Sequence, residues 1–135
     1  MTAVDNKMLV QHIYEELSSG NSRPLVEAMA DDVRWALMGT MTWSRVYEGK
    51  EAVLTRLLTP LRARFAGRYE ASAERIIAEG DLVVAEVRGR VTTRSGSPYH
   101  NRYCFIFRIE GGKIREMREY MDTELAAAVL GEPDD

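Results

Sequence analysis

Residues 99 to 122, YHNRYCFIFRIEGGKIREMREYMD, limit what this chain can fold into more than any other stretch. Two alternating runs meet at Glu110-Gly111-Gly112-Lys113. Glycine tolerates the positive φ that tight hairpin turns demand, so the pattern predicts two antiparallel strands. At period two the first run places Tyr99, Asn101, Tyr103, Phe105, Phe107 and Ile109 on one face, with His100, Arg102, Cys104, Ile106 and Arg108 on the other. From Ile114 the second run places Arg115, Met117, Glu119 and Met121 on one face and Ile114, Glu116, Arg118 and Tyr120 on the other. Glu119 therefore sits between methionines. A charge beside apolar neighbours costs free energy unless it is paired, so Glu119 marks either a site or an exposed edge strand.

Composition narrows the classes of function. A chain of 135 residues fits one domain and buries roughly two-thirds of its unfolded surface without disulfide or metal staples. A hydrophobic fraction of 45% with a net charge of −3 gives no general attraction for nucleic acid or an anionic membrane, and neither is expected as a partner. Cys104 is alone, so no internal disulfide is possible. The start carries no apolar signal core, and no run approaches the roughly 18 apolar residues of a membrane span. The expectation is a cytoplasmic protein. No internal repeat or low-complexity tract is visible.

In chain order, residues 5 to 19 predict an amphipathic helix on Met8, Leu9, Ile13 and Leu17, capped by Asp5 and stopped by Gly20. Asn21 or Ser22 caps a shorter helix with Leu25, Val26 and Met29 buried, ending at Asp31-Asp32. Residues 33 to 38 predict a strand, and residues 39 to 45 a loop leading to Tyr47-Glu48-Gly49. Trp35 and Trp43 flank a possible pocket mouth, or are simple core packing. After Gly49 comes a helix on Val53, Leu57, Leu58, Leu61 and Phe65, kinked or divided at Pro60. A meander of strands follows at about 69 to 78, 82 to 93 and 99 to 109. In its second strand Val83, Ala85, Val87, Gly89 and Val91 oppose Leu82, Val84, Glu86, Arg88 and Arg90. A last short helix spans 123 to 131, with Asp122 or Thr123 as its cap, and residues 1–4 and 132–135 are expected to be frayed tails.

Helices followed by a long meander make an α+β class. The pattern Y-x-N-x-Y-C-F-x-F-R-x-x-x-G-K-I, from Tyr99 to Ile114, is followed by R-E-Y-x-D at Arg118 to Asp122. With D-D-V-x-W from Asp31 and Y-x-G-K-E-A-V from Tyr47, it resembles the SnoaL-like branch of the nuclear transport factor two-like superfamily. That resemblance implies one cone-shaped domain over residues 1–135, in which a curved antiparallel sheet wraps around N-terminal helices. It does not fix an activity, because the fold hosts isomerases, cyclases, epoxide hydrolases, dehydratases and binding modules.

The catalytic relatives can be compared place by place. A ketosteroid isomerase-like site would fall at Leu37, Ile13 and Phe105, none of which is an acid or a tyrosine, and Tyr14 lies one residue on, about 100° around its helix. A limonene epoxide hydrolase-like site matches Glu119 and places its arginine and other carboxylate near Glu86 and Arg88, in reverse order. That family's tyrosine and asparagine fall at Trp35 and Leu37. In the SnoaL-type cyclases, the late acid corresponds to Glu119 or Asp122.

The resulting expectation is a homodimer, formed through the outer sheet face, with a pocket for a small, largely apolar or aromatic molecule. Glu119 is the proton-transfer residue, Arg88 its orienter and Glu86 the second carboxylate. Asn101 and Tyr103 supply polar contacts, and Trp35, Leu37, Phe105 and Met117 supply walls. Met38, Met41 and Met121 suit an adaptable lining. His12 reads as solvated, His100 as a surface or dimer-contact residue, and Asp122 as a helix cap. No metal-ligand spacing, phosphate loop or nucleophile elbow is present, so neither metal nor cofactor is expected. The other class is a non-catalytic ligand-binding or interaction module that dimerises through an outer face bearing Cys104, Ile106 and Val87.

Overall fold

The computed structural model describes residues 2–133. Helix α1, Ala3–Leu17, begins two residues before the expected cap at Asp5. Thr2 is the cap instead: its hydroxyl accepts from the Asp5 amide at 3.1 Å, and the Asp5 carboxylate accepts from the Thr2 amide at 3.0 Å. Residues 2 to 4 thus form a cap and a first turn rather than a frayed tail; residues 1, 134 and 135 of the expected tails lie outside the described residues. Helix α2, Arg23–Ala28, is followed without a break by β1, Met29–Leu37, which starts earlier than the expected Val33. Met29 belongs to the sheet because it pairs with Ile114.

Strand β2, Val46–Glu48, directly follows the expected loop of residues 39 to 45 and pairs antiparallel with β1. Next come α3, Lys50–Ala52, a π-helical turn at Val53–Leu58, and α4, Thr59–Ala63. Pro60 does not break this helix. The widened turn just ahead of the proline, with the Thr59 amide bonded to the Leu54 carbonyl, lies where an α-helical path would press the ring on a carbonyl. Strands β3 (Glu70–Glu79), β4 (Leu82–Arg90), β5 (Arg102–Glu110) and β6 (Lys113–Met121) form the meander, and α5, Thr123–Leu130, closes the chain.

The fold is α+β, with a curved six-stranded sheet in the order β2-β1-β6-β5-β4-β3. It is mixed rather than wholly antiparallel, because β1 runs parallel to β6. Hairpin links force antiparallel pairing only between chain neighbours, and nearly eighty residues separate these two strands along the sequence. Gly111 and Gly112, at φ 57° and 75°, make the type I′ turn that matches the twist of β5 and β6. A bulge follows: Arg108 pairs with Glu116 and Ile109 with Ile114, leaving Arg115 as the extra residue. That residue resets the parity of β6, so Ile114 is buried together with Met117 instead of opposite it.

The concave face carries Val83, Ala85, Val87, Phe105, Phe107 and Met117 against α1. Val87 is therefore inside, not on the outer face with Cys104 and Ile106 as expected. At the far end, Asp122 caps α5 through the Leu125 amide at 3.1 Å. The Trp43 indole donates to the Gly131 carbonyl at 2.8 Å, and the Arg64 guanidinium lies 4.9 Å over the Trp43 ring while donating to the Leu130 carbonyl at 3.0 Å. None of the described helices is long and apolar enough to cross a membrane.

Of the glycines, Gly89 on the concave face is the one most closely approached by another side chain. A Cβ there would stand 2.3 Å from the Tyr69 hydroxyl and 2.9 Å from two of its ring carbons. Gly89→Ala is expected to lose about 1–3 kcal/mol in urea unfolding, the cost of overpacking a filled interior, and Gly89→Ala combined with Tyr69→Leu to recover part of it.

Candidate functional site

The concave sheet, α1 and the 50–63 helix enclose a cavity of about 360 Å3, the size of a small-molecule site. Its walls are mostly apolar. Leu17 and Leu25 come from the first two helices, Leu57 and Leu61 from the 50–63 helix, and Trp35 and Phe105 from the sheet. Helix α1 contributes Tyr14 because its buried stripe is broad enough to include both Ile13 and Tyr14. Tyr14 thus enters the cavity, although the sequence comparison turned it away; its ring lies 6.3 Å from Phe105.

Into these walls β6 projects one carboxyl group, that of Glu119. Its cross-strand neighbours are Leu37 on β1 and Phe105 on β5. Glu119 is 8% exposed, and no cation lies within ion-pair distance among the described residues. Oε1 accepts from the Trp35 indole at 2.8 Å, while Oε2 has no protein hydrogen-bond partner among the described residues. Burial in apolar surroundings penalises the charged form and pushes the carboxyl up to about 7, with the Trp35 hydrogen bond opposing the shift. Burial likewise pushes the hydroxyls of Tyr14, Tyr69 and Tyr103 up, and these rings stay neutral around the acid.

The structure does not bring the three expected catalytic residues together. Across the sheet Glu119 is level with Phe105 and then Ala85, so the β4 residues on its face are Ala85 and Val87. Glu86 and Arg88 alternate with these and project outward. Glu86 is held there by Arg75, which keeps its carboxyl below the usual glutamate range, and Arg88 is level with Arg102. Trp35, Leu37, Tyr103, Phe105 and Met117 all line the cavity, as do Met41 and Met121. Asn101 does not. Its side-chain nitrogen donates to the Tyr99 hydroxyl and to the Asp122 carbonyl, both at 3.1 Å, and its oxygen accepts from the Arg102 amide at 2.7 Å. With those bonds made, Asn101 locks the entry to β5 onto the end of β6.

Trp43 lines the cavity but is fully buried, with its indole turned to the chain's C-terminal turn. Met38 lies outside the lining, and His12 and His100 are exposed. Sequence reasoning missed Tyr69, Tyr99 and the rim residues Arg62 and Arg68. One signal was available for Tyr69: a glycine in mid-strand, Gly89, marks a close approach by another group. Among the described residues, no group of three or more His, Cys, Asp or Glu is placed to hold a metal ion. The chemistry on offer is proton transfer by a buried carboxyl that titrates near neutrality and has one oxygen uncommitted.

Among solved structures, the chain is similar to a nuclear transport factor two-like protein from Burkholderia pseudomallei, with a TM-score of 0.79 and 21% identity over 93% of this chain and 98% of that one. It is similar to an epoxide hydrolase of the limonene epoxide hydrolase-like type from M. tuberculosis, with a TM-score of 0.72 and 20% identity over 95% and 91%. It is also similar to TerC, crystallised with polyporic acid, with a TM-score of 0.77 and 19% identity over 93% and 97%. At these identities the likeness establishes the fold. No curated protein matches the sequence. The SnoaL-like domain model matches residues 10–117, most of the chain, and the protein belongs to that family.

Proposed function

We propose that this protein binds a small, largely apolar or aromatic molecule in the cone cavity and moves a proton on it with Glu119, without a cofactor. One observation carries the reading: a carboxyl group at the sheet wall of a 360 Å3 apolar cavity, titrating near 7, with Oε2 uncommitted. In its ionised form Glu119 takes a proton from an acidified C–H or hydroxyl group of the ligand. In its protonated form it returns that proton to another atom. Trp35 holds Oε1 throughout, so that Oε2 is the transferring atom. The net change is an isomerisation or a ring closure, and the carboxyl ends in the state in which it began.

A hydrolase of the epoxide type is the poorer reading, since it calls for a second carboxylate and an arginine beside the first. Glu86 and Arg88 are on the opposite face of the sheet. TerC, crystallised with polyporic acid, supports the small-molecule reading by analogy of fold. The same proposal includes a cytoplasmic setting and a homodimer formed through the outer sheet face around Cys104 and Ile106. The rival reading is a binding module in which the Trp35–Glu119 bond is purely structural.

Ligands from a set of apolar aromatics and terpenoids are expected to raise the melting temperature, since binding to the folded state alone stabilises it. With such a ligand, Glu119→Gln keeps the Trp35 hydrogen bond and is expected to keep affinity within a few-fold while turnover falls by about 10²-fold or more. Equal turnover in both proteins removes Glu119 from the chemistry. Absence of turnover in the wild type, with binding intact, favours the binding module.

Stability should follow the same proton. The folded state holds it up to about pH 7, whereas a glutamate in the unfolded chain releases it near the ordinary 4.5. The folded state therefore binds more protons between those values, and stability falls as pH rises through that window, by about 3 kcal/mol in all. Below the window the contribution is fully present, and above it is gone. Urea unfolding of Glu119→Gln should lack this slope. Trp35→Phe removes the hydrogen bond that favours the carboxylate and should move the Glu119 titration, followed by side-chain NMR, to still higher pH.

A further inference from the structure

The exposed part of the cavity lining is confined to one stretch of chain. Of the residues that line the cavity, only Arg62, Gly67 and Arg68 are exposed, and all three lie on or just after α4. Across the opening is the turn between α1 and α2. Arg62 spans to it and donates to the Ser22 hydroxyl at 2.8 Å. Arg68 spans to it as well, with its stem flat on Gly20: a Cβ on that glycine would meet Arg68 Cβ and Cδ at 2.9 Å. Gly20, at φ 85°, both ends the turn and leaves the space in which that stem lies.

Neither guanidinium has an ion-pair partner among the described residues. The acids on the adjoining surface are Glu16 and Glu27, and Glu27 is engaged by Arg23 at 3.6 Å. Arg34, Arg75, Arg102 and Arg115, by contrast, are matched to Glu48, Glu86, Glu74 and Asp32 across the sheet. What sets the rim pair apart is its place, at the exposed edge of an apolar chamber.

We propose that Arg62 and Arg68 form an anion-binding rim, and that the natural ligand is an amphipathic organic acid with its apolar or aromatic body in the cavity and its carboxylate at the mouth. This rests on the small-molecule reading of the cavity and adds the class of ligand. Two forked guanidinium groups at one opening hold a carboxylate by charge-assisted hydrogen bonds while its body displaces water from the apolar walls. Anchoring one end at the rim also fixes which part of the body reaches the Glu119 wall.

A matched pair of fluorescent probes tests this on the full chain: pyrenebutanoic acid and pyrenebutanol, which share a body and differ in the anionic head. The acid is expected to bind the wild type about tenfold more tightly than the alcohol, with the preference shrinking as salt is added. Arg62→Gln and Arg68→Gln are each expected to weaken the acid about three- to fivefold and to leave the alcohol unchanged. If both probes bind equally, or if the variants weaken both alike, the anionic rim is overturned while the cavity reading stands. If neither probe binds, both readings fall. If the variants do not fold, the wild-type preference and its salt dependence still decide the matter.

Discussion

A carboxyl group set in an apolar wall has two ways to lower its free energy: find a cation or keep its proton. Among the described residues, Glu119 has no cation within ion-pair distance. A single indole hydrogen bond from Trp35 offsets only part of the desolvation, and the group settles close to neutrality. Much of the architecture follows from holding these two residues together. Trp35 is on β1 and Glu119 on β6, so the bond is made across the one parallel pairing of the sheet, where Leu37 and Trp35 register with Glu119 and Met117. Without β1 laid along β6 there is no partner for the acid and no continuous inner face to enclose the cavity.

The outer face solves its electrostatics in the opposite way. Arg75 and Glu86 and Arg34 and Glu48 neutralise one another across neighbouring strands, and Arg102 and Glu74 across β4, in contact with water. Such exposed pairs add little stability individually. Their effect is to satisfy charge on the side away from the cavity, which is left with one carboxyl at its sheet wall and two arginines at its rim. Acid and base are thus placed apart rather than in a paired cluster.

Much of this was legible in the residues. The alternation around Gly111-Gly112 identified β5, β6 and their concave face, and Glu119 stood out as a carboxylate among methionines. The failures share a cause. Glu86 and Arg88 carry the right charges two residues apart, but which face they occupy relative to Glu119 depends on how β4 aligns with β5 and β5 with β6, which no local pattern encodes. Ile114 was misplaced because a bulge adds one residue and reverses the parity. Tyr14 was misjudged because a helix packed against a concave sheet buries more than a narrow stripe. Asn101 was legible as a polar residue on the aromatic face, yet its partners are backbone groups whose positions only the folded chain supplies.

The bolt between Trp43 and Gly131 joins residues 88 apart in sequence, and Arg64 reaches 66 residues to Leu130. Contacts at such separation cost the most loop entropy and form late, whereas the β5–β6 hairpin closes over a two-residue turn. The β3–β6 meander can therefore be built before the chamber is sealed, whereas the β1–β6 pairing spans a separation as long as that of the seal. By the same argument, local release of the C-terminal helix leaves every strand pairing of the sheet in place. Its Leu130 is part of the cavity wall. Amide exchange along α5 would accordingly report how often the closed cone opens, on a timescale independent of its melting.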